Sequence, residues 1–175
     1  MSKLNWGIIG AGNVVEFKSG PSFLRADNSH VRAIYSRSID KAENLAVKLA
    51  IPKVYHLKND ILNDPEVHAV YISTPPDSHY EYTMDALMAG KHVLVEKPMA
   101  LSVAECEKMT DLAASRHLIL MTAYYRRFWD SYIKIKELVD AGEIGNPIYL
   151  LLNFIYNGYP ASGEPVPWRL NKEIG

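Results

Sequence analysis

Gly7-Ile8-Ile9-Gly10-Ala11-Gly12-Asn13-Val14-Val15 carries the first informative pattern of the chain. An apolar run breaks at Gly10, a second glycine follows two residues later, and a helical pattern opens behind it. Glycine is wanted there for two physical reasons. The turn from strand to helix is tight, and the backbone must approach a pyrophosphate held at the helix N-terminus. Gly10 and Gly12 would make that turn, and Asn13 and Val14 would open the helix facing the phosphates. The pattern departs from its usual form at Val15, which fills the third glycine slot and keeps helix and strand slightly further apart. A plain strand–turn–helix is the alternative, and the wider context weighs against it.

That context is a repeating rhythm. Short apolar runs at residues 6–10, 31–36, 53–56, 69–73, 92–96 and 118–122 alternate with amphipathic helical patterns. Such alternation marks βαβ units and a parallel sheet, and continuous apolar runs suit strands covered on both faces. Ala42, Leu45, Ala46 and Leu49 share one helical face. So do Tyr80, Met84, Leu87 and Met88, with Asp77 as N-cap and Gly90 as the C-terminal stop, and all these apolar positions are read as core. Ser102-Val103-Ala104-Glu105 fits a capping box. Gly20-Pro21 is expected to break the first helix, with Pro21 opening a second turn toward Asp27. Lys18 is left near the loop, as a ligand contact or, more simply, a solvated lysine.

The expected fold is therefore α/β: a doubly wound parallel-sheet NAD(P)-binding Rossmann domain over residues 1–122, followed by the start of a second α/β domain over 123–175. The second part begins with a helix over 128–141 closed by Gly142. An apolar run over 148–156 and a Pro- and Gly-rich tail follow, and residues 169–175 complete no element.

Composition sets outer limits. The chain has 175 residues, enough for one domain or one and part of another, and 48% hydrophobic with 22% charged residues is ordinary for a globular protein. Lys plus Arg number 19 against 20 for Asp plus Glu, a net charge of -1 that argues against a nucleic-acid partner or a polybasic membrane anchor. Cys106 is the sole cysteine, which excludes an intramolecular disulfide, and no Cys/His cluster has metal-binding spacing. No signal-peptide core and no membrane-spanning run is present, so a soluble, cytoplasmic protein is expected.

The strand ends select the chemistry. NAD-selective folds usually carry an acid at the end of the second strand, on the ribose 2′-hydroxyl. Here that position reads Ser36-Arg37, and a guanidinium fork suits a 2′-phosphate, so NADP is favoured over NAD. A solvated Arg37 is the alternative. Ligands of open α/β sheets bind beyond the carboxyl ends of the strands, and polar residues gather there. The fourth run ends Ser73-Thr74-Pro75-Pro76-Asp77-Ser78-His79, the fifth Glu96-Lys97-Pro98, and the sixth Ala123-Tyr124-Tyr125-Arg126-Arg127-Phe128. Each tip alone is weak. Three tips converging opposite a glycine loop are what a binding site requires.

GIIGAG, STPPDSH, EKP and YYRRF, in that order and spacing, resemble the glucose–fructose oxidoreductase and inositol dehydrogenase family (Gfo/Idh/MocA) over essentially the whole chain. The resemblance implies a Rossmann domain followed by a second α/β domain built on an open sheet. It implies a dehydrogenase that moves hydride between NAD or NADP and a sugar, polyol or related small molecule. It also implies roles: Gly10 and Gly12 at the pyrophosphate; Ser36 and Arg37 at the adenosine ribose; Ser73, Thr74, Pro75, Pro76 and His79 along the cofactor. Arg127 would lie near the nicotinamide end, Glu96 would be among the cofactor-binding residues, and Lys97 would sit between nicotinamide and substrate as the catalytic residue. The residue before a proline is pushed to extended geometry, so Pro98 would help aim Lys97, while Glu96 would hold or tune it.

The family's acid–base site is completed by residues beyond a segment like Trp168-Arg169-Leu170, so this chain alone is expected to bind cofactor with little or no turnover. Exposed sheet edges would favour association, and the full-length protein is expected to form a homo-oligomer. Two other readings stay open: a glycosidase or transferase that retains its dinucleotide, and a dinucleotide-sensing regulator with no chemistry. The regulator has no use for an aimed lysine.

Overall fold

The computed structural model describes residues 3–153, together with Ile155 and Leu170. The chain divides into two compact units at Ala123 and Tyr124. The first unit is built on six strands: β1 (Leu4–Ile9), β2 (Ser29–Tyr35), β3 (Lys53–Tyr55), β4 (Ala69–Ile72), β5 (His92–Val95) and β6 (Leu120–Thr122). They form one sheet in the order β3-β2-β1-β4-β5-β6, and every neighbouring pair is parallel. This is the Rossmann order, with its switch point between β1 and β4. All six expected strands are present. β6 starts at Leu120 rather than 118 because the Leu118 N–H is spent on closing the preceding helix, donating to the Ala113 carbonyl at 2.9 Å.

Helices cover both faces. A π-helical turn (Val15–Ser19) leads into α1 (Gly20–Arg25), and α2 (Ile39–Leu49) lies beside it. Their buried side chains join Ile8, Ile34 and Tyr71 in one core, with Val15, Ala42, Leu45 and Leu49. The opposite face carries α3 (Lys58–Asn63), α4 (His79–Met88) and α5 (Val103–Ser115), whose core includes Ile61, Leu87 and Met109 against Ile9 and Ile72. Neighbours on one strand thus serve opposite cores, each buried aliphatic side chain contributing roughly 1.5–3 kcal/mol.

Three expectations are corrected. Pro21 stands in the first turn of a further helical segment, α1, as expected, but Gly20-Pro21 does not interrupt the helical chain before it. The Gly20 N–H donates to the Val15 carbonyl five residues back, and this π turn widens the helix where Pro21 brings no N–H of its own. Gly20 is needed there, since a Cβ would lie 2.5 Å from both the Val15 carbonyl oxygen and Leu49 Cδ1. Second, Asp77 is no N-cap: it is exposed within a 3₁₀ turn (Pro76–Ser78), and Ser78 precedes α4. Third, Leu87 is core as expected and Tyr80 and Met84 pack half-buried against it, but the fully buried face of α4 is His79, Tyr82, Thr83, Ala86 and Leu87. Met88 points out at 57% exposure, because Leu87 with the small Thr83 and Ala86 and the amphipathic His79 and Tyr82 carries the inward stripe.

Other local readings hold. Gly90 sits at φ 76 and ends α4 with the Gly90 N–H on the Leu87 carbonyl and the Lys91 N–H on that of Ala86. Ser102 caps α5, its hydroxyl accepting from the Glu105 N–H at 3.2 Å, while the Glu105 carboxylate accepts from the Leu101 N–H at 3.0 Å. At the β2–β3 side, the buried Asp64 carboxylate accepts from the Tyr55 hydroxyl (2.8 Å), the Glu66 N–H (2.9 Å) and Arg32 Nε (3.4 Å). Burial pushes its pKa up, but the Tyr55 hydrogen bond and the Arg32 and Lys53 charges outweigh it and hold the group below its ordinary value.

The second unit opens with a 3₁₀ turn (Tyr125–Phe128) and α6 (Asp130–Asp140). Trp129 is extended, which delays the helix start past residue 128, and its ring packs between those of Tyr125 and Tyr132 at 5.8 and 6.0 Å. Gly142 follows at φ 74. Residues 147–153 lie in no helix or strand, and most of the tail beyond, with Trp168 and Arg169, falls outside the described residues. Among the described residues no helix is long and apolar enough to cross a membrane, and no group of His, Cys, Asp or Glu could hold a metal ion.

Candidate functional site

The glycine loop is built against the neighbouring strand tips. Gly10 has φ +113°, and a Cβ there would lie 2.5 Å from the Ser73 carbonyl oxygen. Its N–H donates to the Tyr35 carbonyl at 2.8 Å, and the Ser73 N–H donates to the Ile9 carbonyl at 2.9 Å. Gly12 differs: nothing lies within 4 Å of the place its Cβ would take. Its carbonyl accepts from the Val15 N–H at 2.9 Å, so the helix starts here, and a helix start leaves its first N–H groups without intrahelical acceptors. Asn13 and Val14 are exposed beside it, and Val15 is fully buried, packing in the core where the third glycine is usually found. The loop is closed against β4 at Gly10 and open at Gly12, a cradle for an anion.

Ser36 is half-buried and its hydroxyl oxygen accepts from the Ser38 N–H at 3.3 Å. Arg37 is exposed and makes no ion pair among the described residues. A groove of about 320 Å³ runs between the glycine loop and α2, lined by Gly12, Asn13, Glu16, Lys41 and Lys48 among others. Lys48 is paired with Glu16, whereas Lys41 is exposed with no ion pair among the described residues. Lys41 was not singled out in the sequence; it lies in the first turn of α2, four residues after Arg37.

At the β4 tip Ser73, Thr74 and Pro75 are half-buried and Pro76 is buried. Ser78 donates to the Thr74 hydroxyl oxygen at 2.9 Å or to the Pro75 carbonyl at 2.8 Å. His79 is 1% exposed. Its Nδ1 lies 2.7 Å from the Pro98 carbonyl oxygen and its Nε2 2.9 Å from that of Thr74. His79 is therefore buried at the β4 tip with each ring nitrogen facing a main-chain carbonyl.

At the β5 tip the Glu96 N–H donates to the Ile72 carbonyl at 2.9 Å, continuing the sheet. The Glu96 carboxylate accepts from the buried Tyr71 hydroxyl at 2.7 Å and from the Lys97 main-chain N–H at 3.2 Å. Burial and the Glu96 hydrogen bond push the Tyr71 hydroxyl's pKa up, so it stays a neutral donor. Glu96 thus holds the Lys97 backbone, not its ammonium. Lys97 is exposed, without an ion pair among the described residues, and the Lys97-Pro98 peptide is cis. Arg127 belongs to the second unit, its guanidinium 5.5 Å from the Phe128 ring centroid.

Residues 4–124 match the oxidoreductase family with an NAD-binding Rossmann fold, Gfo/Idh/MocA. The chain belongs to this family. An oxidoreductase of Formosa agariphila is 40% identical over 175 residues, covering 99% of this chain and 54% of that protein. D-xylose 1-dehydrogenase (NADP(+)) of Hypocrea jecorina is 32% identical over 172 residues, 92% of this chain and 44% of the enzyme. Among solved structures, the 3-ketoreductase of Actinomadura kijaniata in complex with NADP and TDP-benzene is 28% identical, with a TM-score of 0.75 over 81% of this chain and 43% of that one. This Gfo/Idh/MocA chain therefore spans about half the length of the relatives it matches. Its Rossmann unit is an NAD(P)-binding domain, and the contact of Gly10 with Ser73 beside the open space at Gly12 fits a dinucleotide pyrophosphate.

Proposed function

We propose that the complete protein is an NAD(P)-dependent dehydrogenase acting on a hydroxyl or carbonyl of a sugar, polyol or similar small molecule, and that this chain is its dinucleotide-holding part. The observation that carries the reading is the switch-point arrangement: a glycine cradle packed on the β4 tip, with an exposed Lys97, free of ion pairs among the described residues, at the neighbouring β5 tip. Gly12, Asn13 and Val14 would receive the pyrophosphate on backbone N–H groups, while Gly10, its own N–H held by the Tyr35 carbonyl, would make the turn that lets the phosphates approach. Ser36 and Arg37 would hold the adenosine ribose, and Arg37 with Lys41 would supply the charge for a 2′-phosphate, which favours NADP. Ser73, Thr74, Pro75 and Pro76 would form one wall, and the family resemblance assigns Arg127 to the nicotinamide end.

A bound nicotinamide supplies or accepts hydride. Lys97 would hydrogen-bond the reacting oxygen and hold its proton as charge changes there. Glu96 would act one step back, by fixing the Lys97 main chain. NADP in the complexes of the Actinomadura relative and in the name of the Hypocrea relative supports the cofactor preference, and the xylose relative supports the substrate class. The test is Lys97→Ala in the complete protein, assayed for NADP reduction across aldoses and cyclic polyols. Turnover should fall by roughly 10²–10⁴-fold, the usual worth of a general acid–base group, with NADPH affinity nearly unchanged. Retained turnover would remove Lys97 from the chemistry.

A further inference from the structure

We propose that the main chain carrying Lys97 is clamped by two buried side chains, Tyr71 and His79, which act as positioning residues from opposite faces of the sheet. The proposal rests on the reading of Lys97 as the group at the reacting oxygen.

Tyr71 is 1% exposed and packs with Ile8 and Ile34 in the core beneath α1 and α2. Its hydroxyl donates to Glu96 Oε1 at 2.7 Å, and Glu96 Oε2 accepts from the Lys97 N–H at 3.2 Å. Tyr71 therefore fixes the carboxylate that fixes the main chain entering Lys97. His79 stands on the other face, as the first residue of α4. One ring nitrogen meets the Pro98 carbonyl at 2.7 Å and the other the Thr74 carbonyl at 2.9 Å. A ring nitrogen carrying hydrogen donates to the carbonyl it faces, so with hydrogen on Nδ1 His79 holds the Pro98 carbonyl just after Lys97, beside the β4 tip at Thr74.

Packing alone does not ask for these residues. A phenylalanine at 71 or 79 would fill a comparable volume, so the hydroxyl and the imidazole are wanted for their hydrogen bonds. Polar groups cost stability when buried without partners, and here their partners fall on residues 96–98 and on Thr74. The Lys97 side chain itself is exposed and unpaired among the described residues, which leaves its main chain as the place where its aim is set.

The test is amide hydrogen exchange by NMR on the ¹⁵N-labelled chain, without dinucleotide or substrate. In Tyr71→Phe the Lys97 amide should exchange roughly tenfold faster, the loss expected of one hydrogen bond, while the sheet amides of Ile72 and Val95 keep their parent rates. His79→Phe should also speed Lys97 exchange, and His79→Gln, which keeps one donor, should restore part of it. Glu96→Gln probes the same link if Tyr71→Phe folds poorly. In the complete protein Tyr71→Phe should lower kcat with NADPH Kd unchanged within about twofold. The clamp is overturned if Lys97 exchange stays at the parent rate, if it rises only in step with Ile72 and Val95, or if kcat is unmoved. Because exchange is read without turnover, a Lys97→Ala protein that stays active would refute the functional reading separately.

Discussion

Alanine at Gly10 and alanine at Gly12 should damage different properties of the chain. At Gly10 the new methyl would lie 2.5 Å from the Ser73 carbonyl oxygen, 2.8 Å from its carbon and 3.2 Å from the Thr74 nitrogen. All three are main-chain atoms, so no side-chain rotation relieves the contact. The φ of +113° adds about 1–3 kcal/mol of backbone strain, and overpacking adds about 1–3 kcal/mol more. Their sum, about 2–6 kcal/mol, is a large share of the roughly 5–15 kcal/mol that keeps a domain folded. At Gly12 a methyl meets nothing within 4 Å, and reduced freedom of the unfolded chain makes Gly12→Ala neutral or stabilising by up to about 1 kcal/mol. That methyl instead takes space needed by a pyrophosphate, so NADPH affinity should drop roughly tenfold or more. Urea denaturation followed by circular dichroism reads the first effect, and NADPH titration of the folded variants reads the second. The reasoning fails if Gly10→Ala unfolds within about 0.5 kcal/mol of the parent, or if Gly12→Ala binds NADPH as tightly as the parent.

Arg37→Ala should weaken NADPH about 10–100-fold, in line with loss of a charge-assisted phosphate contact, and leave NADH unchanged; equal weakening of both would deny Arg37 the 2′-phosphate. Asp64 has a folded-state pKa below its unfolded value, so its contribution is fully present above about pH 4 and is lost as pH falls through the folded value. Asp64→Asn should cost about 1.5–3 kcal/mol at neutral pH and flatten the acid limb of the stability curve, and an unaltered acid limb in chemical denaturation would contradict this. Ser102→Ala removes the hydroxyl that accepts from Glu105 at 3.2 Å and should lower stability by about 1 kcal/mol; a midpoint identical to the parent's would show that the Glu105–Leu101 bond suffices as a cap.

The parallel sheet was readable because its strands are short apolar runs between helical patterns, and Gly90 and Ser102 mark helix ends by chemistry local to them. The π turn was not readable, since proline after glycine reads as a breaker unless the register five residues back, Gly20 to Val15, is known. The inward face of α4 was read in part: Leu87 and Met84 were placed on it, but Met88 was included and Thr83 and Ala86 left out, because hydrophobicity ranks them differently from burial. In the site, the glycine loop and the tips at Ser73 and Lys97 were visible as residue types at strand ends. His79 was visible as a residue type at the β4 tip, but its main-chain partner 19 residues away was not, and Tyr71 was missed because its partner lies 25 residues away. Tyr71 in particular reads as one more apolar residue in a buried run.

The central claim is that this chain holds a nicotinamide dinucleotide at its β1–β4 switch point and favours the 2′-phosphorylated form. Its most direct test is a fluorescence titration of the chain with NADPH and, separately, with NADH. Saturable binding of one equivalent, tighter for NADPH, is the predicted result. A folded chain that binds neither would contradict it.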